Sequence, residues 1–315
     1  MGCAEVKAKR READYRREPA QLLHWQVSHV SRKLVIAAID FVNPAPLMWD
    51  FEHEPRRSEL AERYSIVYST PSECARRLQS GIADIGLVPV ASYATAHDQS
   101  IIRGCAIASL DHIRSLILVV RRNQGVREVK SVSLDTASLT TATYTRILFS
   151  KYWRTSPLFR LHSANLDEML AESDAAVLIG DPALLALEDR VQREARTGEQ
   201  LDYIDLAHEW HQWTGTNWIS AFWSVRDAAF TPQTVTPEQL VKDFIRSRDN
   251  GLIHAEKLAE EWSGRIAIPA QTLRTYLTEN IYYLLDQDCL DGLNLFYRYA
   301  VECGALPSVP ELKFL

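Results

Sequence analysis

The sequence predicts an α/β protein built as two lobes, the second inserted into the first. Two observations carry this expectation. From Lys33 onward, short apolar β-type runs alternate with helical patterns, and this happens twice. The first set spans "LVIAAI" to "SLILVV", the second "VKSVSLD" to "WISAFWSV"; such alternation belongs to βα units on mixed, largely parallel sheets flanked by helices. The length of 315 residues and the 46% hydrophobic content are enough for a large core and favour two lobes over one. The expected division is a leader over 1–31, a discontinuous first lobe over 32–121 and 220–315, and an inserted second lobe over 122–219. "VVRRNQG" and "SVRDAAF" would then be the crossing strands and hinges, with a ligand cleft where strands end and helices begin.

The leader, "MGCAEVKAKRREADYRREPAQ", is charged and has no apolar h-region, so it does not read as a secretory signal. Gly2 suggests N-myristoylation, but Val6 stands where Ser or Thr is needed. The first strand, Leu34–Ile39, runs into "DFVNPAPLMWDF". Pro44 and Pro46 can neither extend that strand nor sit inside a helix, so Asn43 is held on a stiffened loop. Local rules leave open whether Asn43 caps the next helix or faces a ligand. In "STPSECARRLQSGIADIGLV", Thr70 or Ser72 can cap a helix that Gly81 ends, and Asp84 opens the following strand. "IIRGCAIAS" and "SLILVV" follow as strands with no long helix between them.

In "SLDTASLTTATYTRIL" a strand gives way to a helix start that carries the hydroxyls of Ser138, Thr140 and Thr141. One cap needs one hydroxyl; the surplus, with free N–H groups, suits an anion. "AAVLIGDPALLAL" ends a strand at Gly180, where backbone can approach a ligand closely, with Asp181 as N-cap and Pro182 at the first helical position. "LAHEWHQWTG" sets His208 and His211 three apart beside Glu209; this is not H-E-x-x-H, and no third ligand is evident, so no metal is assigned. Everything after Thr236 reads as helix, with a break at Ser263–Pro269.

A net charge of −6 argues against a general nucleic-acid binder, although local fields can still favour an anionic ligand. Five scattered cysteines without a C-x-x-C pair fit a reducing cytoplasm, and no apolar run reaches membrane-span length. Dinucleotide, P-loop and G-x-S-x-G signatures are absent from the sequence, and no cofactor is expected. The sequence sets no oligomeric state.

Taken in order, "IDFVNPAPL", "TPSECARRLQSGIADIGLV", "SLTTATYTRIL", "DAAVLIGDPAL", "YIDLAHEWHQWTGTNWISAFW" and "GLNLFYRYAVECGALPSVPELKF" resemble the chorismate dehydratase family of the futalosine route to menaquinone. The resemblance implies a type II periplasmic-binding-protein-like fold with the ligand between its lobes. It also implies the removal of water from chorismate, a dianion, to give 3-(1-carboxyvinyloxy)benzoate. In this reading Asn43 is catalytic, Ser138, Thr140 and Thr141 bind a substrate carboxylate, and Ser72, Gly180 and Asp181 complete the binding site. The chain departs from its relatives at Pro89, Ser92, Asn217 and Trp218, which bears on substrate detail more than on class. Two rivals stand beside this reading. One is a solute-binding protein without turnover; the other is the later enzyme acting on a cyclic futalosine derivative, for whose histidine His162 is the one faint candidate.

Overall fold

The computed structural model describes residues 32–315, and the leader, with Gly2, Cys3, His24 and His29, lies outside them. Strand β1 (Leu34–Ile39) enters the loop before helix α1 (Ala45–Glu52), which the short helix α2 (Arg56–Leu60) follows. Next come β2 (Tyr64–Ser69), α3 (Pro71–Gln79), β3 (Ile85–Pro89), the single turn α4 (Val90–Tyr93) and the long β4 (Gln99–Ser109). The second series is β5 (Leu116–Arg121), β6 (Ser131–Asp135), α5 (Leu139–Ile147), β7 (Leu158–His162), α6 (Leu166–Glu172) and β8 (Ala175–Ile179). It continues with α7 (Gly180–Thr197), β9 (Leu201–Asp205), α8 (Leu206–Thr214) and β10 (Trp218–Arg226). Helices α9 (Pro237–Ile253), α10 (Ala255–Ser263), α11 (Ala270–Thr275) and α12 (Gln287–Glu302) complete the chain.

The strands form two five-stranded sheets, ordered β2-β1-β3-β10-β4 and β7-β6-β8-β5-β9. In each, three strands run parallel and the fourth runs antiparallel to both of its neighbours. The two orders are the same pattern, and the antiparallel position is filled by β10 in the first sheet and β5 in the second. Both strands are nearly uniform apolar runs, as a strand covered on two faces requires.

This placement corrects the expected hinges. β5 was expected to close the first lobe, yet it pairs with β8 and β9, so the chain changes sheet over residues 110–115, before β5. The return lies over residues 215–217, before β10, and not at "SVRDAAF" after it. The C-terminal part is also less uniformly helical than expected. Tyr282 bridges Ala108 and Phe314 bridges Ile101, so two extended segments lie along β4.

Helices α5 and α12 meet strand β10 in one aromatic core. Tyr144 of α5 stacks on Trp218 of β10 at 3.6 Å between ring centroids and on Phe296 of α12 at 4.2 Å. Each of these fully buried side chains contributes roughly 1.5–3 kcal/mol by its burial. α1 and α9 touch at Gly251, where a side chain would collide with the Pro46 backbone. That contact seats the helix that follows the Asn43 loop.

Candidate functional site

The opening loop is a tight turn, with the Ala45 N–H donating to the Val42 carbonyl at 3.1 Å. Pro44 occupies the N-cap position of α1, and no side chain caps that helix. Asn43 is therefore not a cap. The loop that carries it is gripped from two directions. The Val42 N–H donates to Asp181 Oδ1 at 3.0 Å, and the Tyr283 hydroxyl donates to the Asn43 carbonyl at 2.9 Å. The side-chain Oδ1 of Asn43 is buried and has no hydrogen-bond partner among the described residues. An unpaired buried amide oxygen costs about 1–3 kcal/mol, so a group placed there needs a compensating reason.

Asn43 faces a narrow cavity between the sheets, lined also by Phe41, Pro89, Ser138, Thr141, Gly180 and Ser220. The space free of atoms is about 400 Å³, but the centre of a water molecule reaches only about 30 Å³ of it. The two sides touch where the Phe41 ring lies against Gly180, whose φ of +60° and bare Cα permit the approach.

The other expected site residues divide. Ser138 caps α5 by accepting from the Thr141 N–H at 3.2 Å, and the Thr141 hydroxyl donates to the same oxygen at 3.2 Å. Both line the cavity. Thr140 does not line it; its hydroxyl accepts from the Ala91 N–H at 3.0 Å, tying α5 to α4. Ser72 is likewise outside the lining. It does not cap α3, whose N-cap position is Thr70; its hydroxyl donates to the Ala137 carbonyl at 2.9 Å and its N–H to the same carbonyl at 3.0 Å. Asp181 corrects another expectation. Helix α7 begins at Gly180, Asp181 makes no cap bond, and its carboxylate holds the Val42 N–H. Ser72, Thr140 and Asp181 thus fasten the two sides of the cleft together. Pro89 and Ser220 are cavity residues, while Trp218 donates to the Ser220 hydroxyl at 2.8 Å from just outside.

Two residues escaped the sequence reading. The Tyr276 hydroxyl and the Ser115 Oγ are both fully buried and, like Asn43 Oδ1, without a partner among the described residues. Burial pushes the Tyr276 phenol far above its usual range, and the neighbouring Ser115 hydroxyl and Asn43 amide draw it partly back. Tyr276 opens a π-helical turn, Tyr276–Asn280, a local distortion that often accompanies function. In sequence it was one more aromatic in a helical stretch, and Ser115 merely the first residue of an apolar run.

Charge at the site comes from carboxyls. Burial raises the Asp181 carboxyl to about 6, against the counter-effect of the Val42 N–H. Asp135 is also raised by burial, and its Oδ2 is unpartnered while Oδ1 accepts from the Ala137 N–H at 2.9 Å. No lysine or arginine lines the cavity among the described residues. An anion there would rely on hydroxyls and N–H groups. His53 and His162 lie elsewhere: His53 stacks on Trp49 at 3.7 Å between ring centroids, and His162 bonds to the Ser163 carbonyl at 2.7 Å.

Comparison with solved structures identifies the fold. A protein from Archaeoglobus fulgidus superposes with a TM-score of 0.64 at 12% identity, covering 89% of this chain and all of that one. A Candida albicans protein described as having the generic periplasmic binding protein fold gives 0.61 at 11% identity, covering 89% of this chain and 92% of that one. The periplasmic aliphatic sulphonate binding protein of Escherichia coli gives 0.58 at 13% identity, covering 89% and 95%. The architecture is thus the periplasmic-binding-protein-like fold, two sheets flanked by helices. No described helix is long and apolar enough to cross a membrane. The sequence itself matches the menaquinone biosynthesis family over residues 34–302, and the chain belongs to that family.

Proposed function

We propose that this member of the menaquinone biosynthesis family is a chorismate dehydratase, a hydro-lyase of the futalosine route. The observation that carries the reading is Asn43: an amide fixed by backbone bonds on both sides, facing the cavity, with its oxygen buried and unpaired. The reaction breaks a ring C–H bond and the neighbouring C–OH bond. Water leaves and the ring becomes aromatic, so the overall change is redox-neutral. In this proposal the Asn43 amide orients the substrate and stabilises developing negative charge, with the Tyr276 hydroxyl, kept protonated by burial, beside it. Ser138 and Thr141, with the start of α5, receive a substrate carboxylate. A carboxylate of the substrate accepts the ring proton, in keeping with a lining that among the described residues offers no carboxylate or imidazole of its own. Asp181 positions the loop, and Ser72 and Thr140 close the cleft around the ligand. No metal or cofactor is assigned a part, the expected location is cytoplasmic, and the two-lobe division is kept with its crossings moved to 110–115 and 215–217, so that β5 joins the inserted lobe and all of β10 the first.

The test is incubation of the purified protein with chorismate and chromatographic analysis. Formation of 3-(1-carboxyvinyloxy)benzoate, with about 10²–10³-fold loss of kcat in Asn43→Ala, is the expected result. Calorimetric binding of chorismate without product would replace this reading with a solute-binding one. Full kcat in Asn43→Ala would remove Asn43 from its role.

A further inference from the structure

The histidine of "HEWH" that had no evident partners acquires two in the fold. His208 of α8 lies beside Asp111 and His112 of the crossover over residues 110–115. Asp111 Oδ1 is 2.6 Å from His208 Nδ1, and Oδ2 is 3.0 Å from His112 Nδ1. The two imidazoles stack with centroids 3.9 Å apart and 23° between planes. The three donor atoms all lie within 4.8 Å of one another. Two imidazoles and one carboxylate brought together from the neighbouring residues 111 and 112 and from α8 are a donor set for a transition-metal ion.

The backbone beneath this cluster is fixed in advance. Asp205 Oδ2 accepts from the N–H groups of Ile113 and Arg114 at 3.0 and 2.6 Å, and Oδ1 accepts from those of Ala207 and His208 at 3.0 and 3.2 Å. One half-buried carboxylate therefore holds the crossover and the start of α8 in register. Asn280 adds a bond from Nδ2 to the His112 carbonyl at 3.1 Å. Such support of the ligands' own backbone is what a preorganised metal site needs.

We propose that Asp111, His112 and His208 bind one divalent transition-metal ion of the zinc or nickel class, clipping the crossover to α8 outside the cleft. Both histidines bind through Nδ1 in their neutral form and Asp111 supplies a carboxylate oxygen. A bound ion replaces the two Asp–His hydrogen bonds with metal–nitrogen bonds near 2.0–2.1 Å, leaving a coordination position for water. None of the three side chains lines the cavity, so the site is separate from the proposed chemistry.

Calorimetry of the untagged, chelator-treated full chain with zinc chloride and with nickel chloride tests this. The expected result is one ion per chain, a rise in thermal midpoint on addition, and at least a tenfold loss of affinity in both His112→Ala and His208→Ala. His211→Ala, whose imidazole contacts the Thr216 carbonyl, should bind as the parent does. Asp111→Asn retains the fold and should also lose affinity, while cobalt loading should give the visible absorption of a nitrogen–oxygen site only when both histidines are present. Absence of one-to-one binding, or equal affinity in the His208→Ala and His211→Ala chains, overturns the proposal.

Discussion

Replacing Gly180 by alanine separates two effects that meet at one atom. The residue has φ of +60°, where an L side chain carries a backbone cost of roughly 1–2 kcal/mol. Its Cβ would also lie 2.7 Å from Phe41 Cδ2 and Cε2 and 3.0 Å from Cγ, nearer than real Cβ contacts. Phe41 cannot simply withdraw, because the next residue, Val42, is held by Asp181. The overlap exists only while the cleft is shut, and overpacking of this kind costs about 1–3 kcal/mol. The backbone cost is the same open or shut and cancels in binding. A ligand that binds the shut form should therefore bind Gly180→Ala about 5–150-fold more weakly. The assay is calorimetric titration of 3-(1-carboxyvinyloxy)benzoate into the parent, Gly180→Ala, Phe41→Leu and the double variant. Leucine lacks the ring edge, so the penalty should shrink at least fivefold in the Phe41→Leu background. Parental affinity in Gly180→Ala, or an unchanged penalty in the double variant, would refute the claim that Phe41 against Gly180 governs closure.

Asp181, with its carboxyl raised to about 6 from an ordinary 3.8, binds its proton more tightly folded than unfolded. Its contribution to stability is full below pH 3.8 and is lost as pH rises to about 6, a change on the order of 2–3 kcal/mol. Urea melts should show Asp181→Asn gaining on the parent by that amount between pH 4 and 7, and a constant gap would rule the buried carboxyl out. Tyr276→Phe removes a buried hydroxyl that has no partner, so stability should move by less than about 1 kcal/mol. If the phenol positions Asn43, kcat on chorismate should fall about tenfold with KM unchanged, and fall no further in an Asn43→Ala background; additive losses would contradict the coupling. Gly251→Ala sets a Cβ into the Pro46 backbone, and since neither helix can yield by a rotamer change, a loss of about 2–4 kcal/mol in urea unfolding is expected. Near-parental stability would mean that α1 and α9 slide freely.

Seven strands were legible in the sequence, the largely buried β1, β3, β4, β5, β6, β8 and β10, of which β4 is a sheet edge. β1, β3, β5, β8 and β10 are almost unbroken apolar runs, and each reads as a strand without tertiary information. β2, β7 and β9 went unread, and all three are sheet edges with half-exposed, polar-interrupted patterns. An edge strand is made by its neighbour, so its own residues carry a weak signal. The hinge was misplaced for a related reason. Nothing local in "SLILVV" says which sheet will take it, because an apolar strand suits either. At the site, Asn43, Ser138, Thr141 and Gly180 stood out through loop, cap and glycine chemistry and do line the cavity. Ser72, Thr140 and Asp181 were equally visible, but the same polarity serves contacts across the cleft. Tyr276 and Ser115 are defined by what they lack, and a missing partner is a property of the fold alone.

The exchange of β5 and β10 explains why closing the cleft and shaping its wall are the same event. Each sheet is completed at its antiparallel position by a strand that the chain reaches only after a crossing. The first residue of β5, Leu116, and the third of β10, Ser220, lie in the cavity wall immediately after those crossings. On the proposed two-lobe reading, a rotation of one sheet against the other would turn about residues 110–115 and 215–217 and so move these wall residues directly. In a receptor, that coupling reports occupancy. In a catalyst, it shuts Asn43, Ser138 and Thr141 around a substrate with water excluded, where fixed dipoles act most strongly. The first crossing is also where Asp111 and His112 face His208. An ion bound there would stiffen one of the two pivots, so metal loading should slow opening and lower the off-rate of a cleft ligand without touching the cleft. A stopped-flow off-rate that is identical with and without bound metal would show that the pivots bend elsewhere.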